Sequence, residues 1–166
     1  MKMPVKSHFP ERAQSVFTIG YEQSTSTAFF EALKEAHVGL LVDVRAVAAS
    51  RRPGFSKRQL AAGLDDHGIG YVHLQKLGTP KEGRLAARSG RPAEMLRIFE
   101  RHLNTPEAQA QLDELTALAG ASRQRKGGIC LLCYERDPAH CHRQRLAGEL
   151  ETRLSMRVEH LFCSPV

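Results

Sequence analysis

The sequence predicts an α/β fold, a single domain built on a mostly parallel sheet of four to five strands with helices on both faces. Two observations carry that expectation. Short β-branched or apolar runs alternate with amphipathic helical stretches from residue 15 to the end of the chain. The run from Gly39 to Val44 is apolar at successive positions, as in a parallel strand covered on both sides. Right-handed crossovers between parallel strands then put the helices on the two faces, giving three layers.

The elements follow in order. Ser15 to Gly20 is a β-branched and aromatic run closed by glycine, and predicts the first strand. Ser24 to His37 carries Phe29, Phe30, Leu33 and Ala36 at helical spacing. Gly39 to Val44 is the second strand, with Asp43 and Arg45 at its polar end. Ser56, Gln59, Phe55 and Leu60 have the spacing of a capping box with a hydrophobic staple, so a helix starts there and ends near Gly68. Ile69 to Leu74 predicts a third strand, followed by a basic loop from Gln75 to Arg91. Pro92 and Pro106 sit at first-turn positions of two helices. Thr105 caps the second, whose stripe of Leu112, Leu115, Leu118 and Ala119 ends at Gly120. A basic turn, Arg123 to Gly127, precedes a fourth strand at Gly128 to Cys133. The closing helix is expected from about Pro138, capped by Asp137, to Leu154, and Arg157 to Phe162 reads as a final strand.

A chain of 166 residues with 42% hydrophobic and 25% charged residues buries enough surface for one core without disulfides or a structural metal. No apolar run approaches the ~20 residues of a membrane span. Residues 1–14 form a polar leader without the apolar stretch of a secretory signal, so the expected organisation is this leader plus one domain over residues 15–166, located in the cytoplasm. Cys130, Cys133, Cys141 and Cys163 are then expected as thiols rather than disulfides.

The net charge is +6, and its excess is local. Arg45 to Arg58 contains Arg45, Arg51, Arg52, Lys57 and Arg58 and no acid, a window of +5; Lys76 to Arg91 is a window of +4. Both follow strand ends. Ligands of open α/β sheets bind beyond the carboxyl ends of the strands, so two cationic segments on that rim predict an anionic partner, either a small molecule or a nucleic acid.

The same rim collects the chemistry. Gly20 and Tyr21 follow the first strand, Asp43 and Arg45 end the second, and Cys133 and Glu135 follow the fourth. Cys141, His142 and Arg143 open the last helix. His142, Leu146, Leu150 and Leu154, spaced by four, define its buried stripe, which aims His142 at the rim. Asp43, Glu135, Cys141 and His142 are the candidate catalytic groups. Gly20, Tyr21, Arg45, Arg51, Arg52, Cys133 and Arg143 are the candidate substrate contacts.

A metal is not expected. Cys130 and Cys133 in a strand point to opposite faces, and His140, Cys141 and His142 on one helical turn would diverge by about 100° each. No cofactor is expected either: the chain has no dinucleotide fingerprint after the first strand and no phosphate loop ending in Gly-Lys-Ser/Thr. Nor does an arginine stand where the cysteine–five residues–arginine loop of phosphatases and rhodaneses needs one, since that position after Cys133 is Ala139 and the next is His140.

The ordered set Thr18-Ile19-Gly20, Val42-Asp43-Val44-Arg45, Ser50, Phe55-Ser56, Gly68-Ile69 with Tyr71, Leu77-Gly78, Leu131-Leu132-Cys133 with Glu135, and Cys141-His142-Arg143 resembles the bacterial and archaeal domain-of-unknown-function family 488 over about residues 15–155. The resemblance implies a single α/β domain and marks Asp43, Arg45, Cys133, Glu135, Cys141, His142 and Arg143; it supplies no reaction. Tyr21-Glu22 stands where the family often shows His-Ser, Ala48 replaces a frequent proline, and Thr79 replaces a second glycine. The expected function is an enzyme, a hydrolase or transferase on a phosphorylated or nucleotide-type substrate with carboxylate and histidine acid–base groups and arginine clamps. The alternative is a non-catalytic nucleic-acid-binding accessory protein that uses the basic rim.

Overall fold

The structure, a computed structural model, describes residues 15–164. The expected leader, 1–14, lies outside the described residues, as do the last two residues of the expected domain. Five strands form one sheet, every pairing parallel: β1 (Ser15–Gly20), β2 (Val38–Asp43), β3 (Gly70–His73), β4 (Gly128–Cys133) and β5 (Arg157–Leu161), in the spatial order β3-β2-β4-β1-β5. Six α-helices connect them among the described residues: α1 (Ser26–Glu35), α2 (Lys57–Asp66), α3 (Lys81–Arg88), α4 (Pro92–Leu103), α5 (Pro106–Ala121) and α6 (His142–Leu154).

The α/β class is therefore observed as read, and the two-residue period of the strands builds both layers of core. β4 sends Ile129 and Leu131 to one face and Cys130 and Leu132 to the other, and its six residues are all buried. Phe29 and Leu33 of α1 with Leu60 and Leu64 of α2 cover one face. Met95, Phe99 and Leu103 of α4, the Ala108, Leu112, Leu115 and Ala119 stripe of α5, and Leu146 and Leu150 of α6 cover the other. Thr25 caps α1 by accepting from the Ala28 N–H at 3.1 Å, and Thr105 caps α5 ahead of Pro106.

Three local expectations are corrected. The stretch from Gln75 to Arg91 is not a loop: Gln75–Leu77 is a 3₁₀ turn and α3 follows it. Gly83 inside α3 and the few apolar residues hid the helix, because Gly83 sits there for packing, its Cα lying against the Thr79 methyl. α2 begins where the capping box predicted, but by different bonds. Ser56 Oγ closes the preceding loop by donating to the Ser50 carbonyl and accepting the Ser50 N–H, while Gln59 Oε1 accepts from Gly54 N–H. The closing helix is broken. Asp137 caps only a 3₁₀ turn, Pro138–His140, then Cys141 is extended (φ −133°, ψ 143°) and α6 starts at His142 with Cys141 as its N-cap.

Candidate active site

β2 and β4 are neighbours whose chains leave in opposite directions. β2 continues through α2 toward the β3 edge, and β4 continues through α6 toward the β5 edge on the other face. The loops after them diverge and leave a crevice at their carboxyl ends, the usual place for a ligand in an open α/β sheet. Two clusters line it.

The first is built on Asp43. Its carboxylate takes both Nε (2.9 Å) and Nη2 (2.7 Å) of Arg45 and the Tyr71 hydroxyl at 2.6 Å, and it also accepts the Arg45 backbone N–H. Arg45 uses its remaining nitrogen, Nη1, on the Phe55 carbonyl and the Tyr21 hydroxyl, and the Tyr21 ring stacks on Phe55 at 4.5 Å. Burial, first, and the bond to Asp43 push the Tyr71 hydroxyl well above its ordinary range. For Arg45, burial acts against the charge, but the hydrogen bond and charge of Asp43 outweigh it and keep the guanidinium ionised. Asp43 is fully buried with both oxygens engaged, so its carboxylate anchors Arg45.

The second cluster is Cys133, Glu135, Cys141 and His142. His142 Nε2 meets the Val44 carbonyl at 2.9 Å; a carbonyl only accepts, so Nε2 carries hydrogen and Nδ1 faces the two sulfurs, 3.7 Å from each. The Cys133 thiol lies 3.2 Å from Glu135 Oε2. Burial opposes ionisation of Cys141, yet its hydrogen bond from Cys133, the His142 charge and Arg143 hold it well below the usual thiol range. Cys133 is pushed well up, by its bond to Cys141 first and by burial second. His142 is raised by the Cys141 charge despite the burial that acts against it. Burial and then the Cys141 charge push Glu135 up to about 7. Cys141 is thus the sulfur whose thiolate form the site favours, and Glu135 is a carboxyl group that titrates near neutrality.

What fixes the loop that carries Glu135 is backbone contact. Arg143, fully buried, donates from Nη1 to the Glu135 carbonyl and from Nη2 to the Arg136 carbonyl. Glu22 ties the same loop to β1: its N–H donates to the Tyr134 carbonyl and its carboxylate accepts the Arg136 N–H. Gly20 is required by close approach, because a Cβ there would overlap the Glu135 carbonyl oxygen. Gly20→Ala is therefore expected to displace the Glu135 loop and lower stability by about 1–3 kcal/mol. Equal melting temperatures for the variant and the parent would contradict this.

The two clusters open into one cleft of about 1130 Å³. Glu135, Cys141, His142 and Cys133 lie at its floor, Arg45 and Tyr21 beside them, and Arg51, Arg84 and Arg88 line it as well. Of the residues singled out in the sequence, these come together. Asp43 lies behind Arg45, Arg143 and Gly20 lie behind Glu135, and Arg52 turns away to donate to the Ser24 carbonyl at 2.7 Å. The sequence reading missed Arg84 and Arg88 as individual contacts because it took their segment for a loop; their spacing of four puts both on one face of α3. It also passed over Tyr134, which is 48% exposed, lines the cleft and meets Tyr21 edge-on at 5.3 Å.

No helix among the described residues is long and apolar enough to cross a membrane. No curated protein and no solved structure matches the chain. The sequence model of the domain of unknown function DUF488 matches residues 25–150, a stretch that holds Asp43, Arg45, Tyr71 and the whole Cys133–His142 cluster, and the chain belongs to that family.

Proposed function

We propose that the protein is an enzyme acting on a phosphorylated or nucleotide-type substrate, a hydrolase or transferase that works at the floor of this cleft. One observation carries the reading: a single cleft joins three arginines, Arg51, Arg84 and Arg88, to the half-buried Glu135 carboxyl and the buried sulfur and imidazole groups of Cys133, Cys141 and His142. Fixed guanidinium groups suit phosphate oxygens. A carboxyl group that lines the cleft and titrates near neutrality is the kind of group that acid–base chemistry at a phosphoester or glycosidic bond needs. The exposed ring of Tyr134 offers a nucleobase a stacking face.

Within this reading Glu135 is the proton-transfer group, since its carboxyl faces the cleft and the Asp43 carboxylate is engaged on both oxygens. Cys141 and His142 lie beside Glu135 at the reacting end of the substrate. Arg45, Tyr21 and Arg51 complete the wall, whereas Gly20, Asp43 and Arg143 are positioning residues and Arg52 holds the loop.

The basic wall and Tyr134 also favour a second reading, a nucleic-acid-binding accessory without chemistry, but that reading leaves the buried Glu135 cluster without a task. Pyrophosphate and a single-stranded oligonucleotide, titrated over a range of salt, separate the two. Arg84→Glu with Arg88→Glu is expected to weaken pyrophosphate binding about tenfold or more and to flatten its salt dependence. Unchanged pyrophosphate affinity, with only oligonucleotide binding lost, would favour the accessory reading.

A further inference from the structure

We propose that Cys133, Cys141 and His142 form a three-ligand zinc site with an open fourth position facing the cleft. Nothing about the proposed substrate is needed for it, and it goes beyond the proposed function.

Among the described residues, the two sulfurs and a ring nitrogen of this trio lie within 4.8 Å of one another, and all three side chains are buried. Zinc bonds of about 2.3 Å to sulfur and 2.0–2.1 Å to nitrogen at tetrahedral angles put sulfur and nitrogen about 3.6 Å apart. In the structure Nδ1 of His142 is 3.7 Å from each sulfur, close to the sulfur–nitrogen spacing of a bound zinc ion.

The histidine is also set for the task. Its Nε2 hydrogen is fixed on the Val44 carbonyl, which leaves the Nδ1 lone pair to the sulfurs; a metal-bound histidine ordinarily has such a partner on its other nitrogen. The Phe99 ring, with its centroid 5.0 Å from that of the imidazole, and β4 itself hold the trio rigidly.

The sequence-based objection to a metal rested on three ligands diverging around one helical turn. It fails at Cys141, whose extended backbone stands outside α6, so that only His142 is on the helix and Cys133 comes from the strand. His140 does not join: its side chain is 64% exposed, 3.7 Å from Asp137. Two thiolates and one imidazole select zinc over magnesium, calcium or manganese. The remaining position opens toward the cleft that Glu135 also lines, the arrangement of catalytic rather than structural zinc.

The test uses the full chain, reduced and stripped with a chelator. Titration with cobalt(II) alone is expected to saturate at one equivalent, with thiolate-to-cobalt charge-transfer absorption and tetrahedral d–d bands that one equivalent of zinc(II) abolishes. Cys141→Ser is expected to weaken zinc binding by about 100-fold or more, with Cys163→Ser as the control that leaves it unchanged. Should Cys141→Ser not fold by circular dichroism, the parent spectrum decides. Absence of the charge-transfer band in folded, reduced parent protein would overturn the proposal, as would a band that persists in folded Cys141→Ser and Cys133→Ser. Pyrophosphate binding by metal-stripped protein is measured in parallel. Its survival without any cobalt uptake sinks the zinc site alone, and cobalt uptake without pyrophosphate binding sinks the substrate reading alone.

Discussion

Asp43→Ala is expected to lower the stability of the fold by about 3–5 kcal/mol, the usual effect of removing one partner of a buried ion pair. The Asp43 carboxylate has no exposure and the Arg45 side chain very little, and the two are joined through paired Nε–Oδ1 and Nη2–Oδ2 contacts. Without the carboxylate, the Arg45 guanidinium stays buried against the Tyr21 hydroxyl and the Phe55 carbonyl with its charge uncompensated, and the Tyr71 hydroxyl loses its acceptor. Urea denaturation of the single and paired variants checks it. Because the cost is an orphaned charge, adding Arg45→Met to Asp43→Ala should recover part of the loss, giving a coupling that a simple cavity would not. A single-variant loss below about 1 kcal/mol, or strictly additive effects, would contradict the account.

Arg143→Met carries the second large effect. Two charge-assisted bonds to the half-buried Glu135 and Arg136 carbonyls vanish, an expected loss of about 3 kcal/mol. Arg143→Lys should not rescue it, since an ammonium has no planar fork to serve two carbonyls at once. The functional consequence is local as well: the loop between Tyr134 and Arg136 carries Glu135, so a partly folded variant should lose catalysis further than it loses pyrophosphate binding on Arg84 and Arg88. Equal stability of parent, Met and Lys variants in urea would remove Arg143 from the role assigned to it.

How much of this was legible in the sequence depends on whether the deciding force was local. The strands were, because the apolar runs at Ser15–Gly20, Val38–Asp43 and Gly128–Cys133 need burial on both faces. The aim of His142 was too, because the stripe through Leu146 and Leu150 fixes the rotation of α6. The break before α6 was not. Asp137 and Pro138 look like a helix start, and they do start a 3₁₀ turn; the extended Cys141 that follows meets the Cys133 sulfur of β4, a partner that no helix-start pattern encodes. That one backbone turn removes the helical divergence on which the expectation of no metal rested.

Similar reasons hid other parts of the site. α3 has weak intrinsic signals, yet its packing against α4 gives Arg84 and Arg88 their common face. The loop after β2 looked uniformly cationic. Its two adjacent arginines divide only in three dimensions, Arg51 toward the cleft and Arg52 onto the Ser24 carbonyl. Asp43 looked like an acid–base group because it stands at a strand end. Its Tyr71 partner comes from β3, 28 positions along the chain, and no spacing rule connects the two.

In the proposed function, Glu135 works on a substrate that the arginine wall holds. A turnover assay over phosphomonoesters, phosphodiesters, nucleotides and nucleosides, run for the parent and for Glu135→Gln alongside binding of the same compounds, tests it most directly. The parent is expected to turn over at least one phosphorylated or nucleotide-type compound, and Glu135→Gln to bind it within a few-fold of the parent while turnover falls by about 10²–10⁴. Turnover undiminished in folded Glu135→Gln, or no turnover of any compound by a parent that binds oligonucleotides with a steep salt dependence, would contradict it.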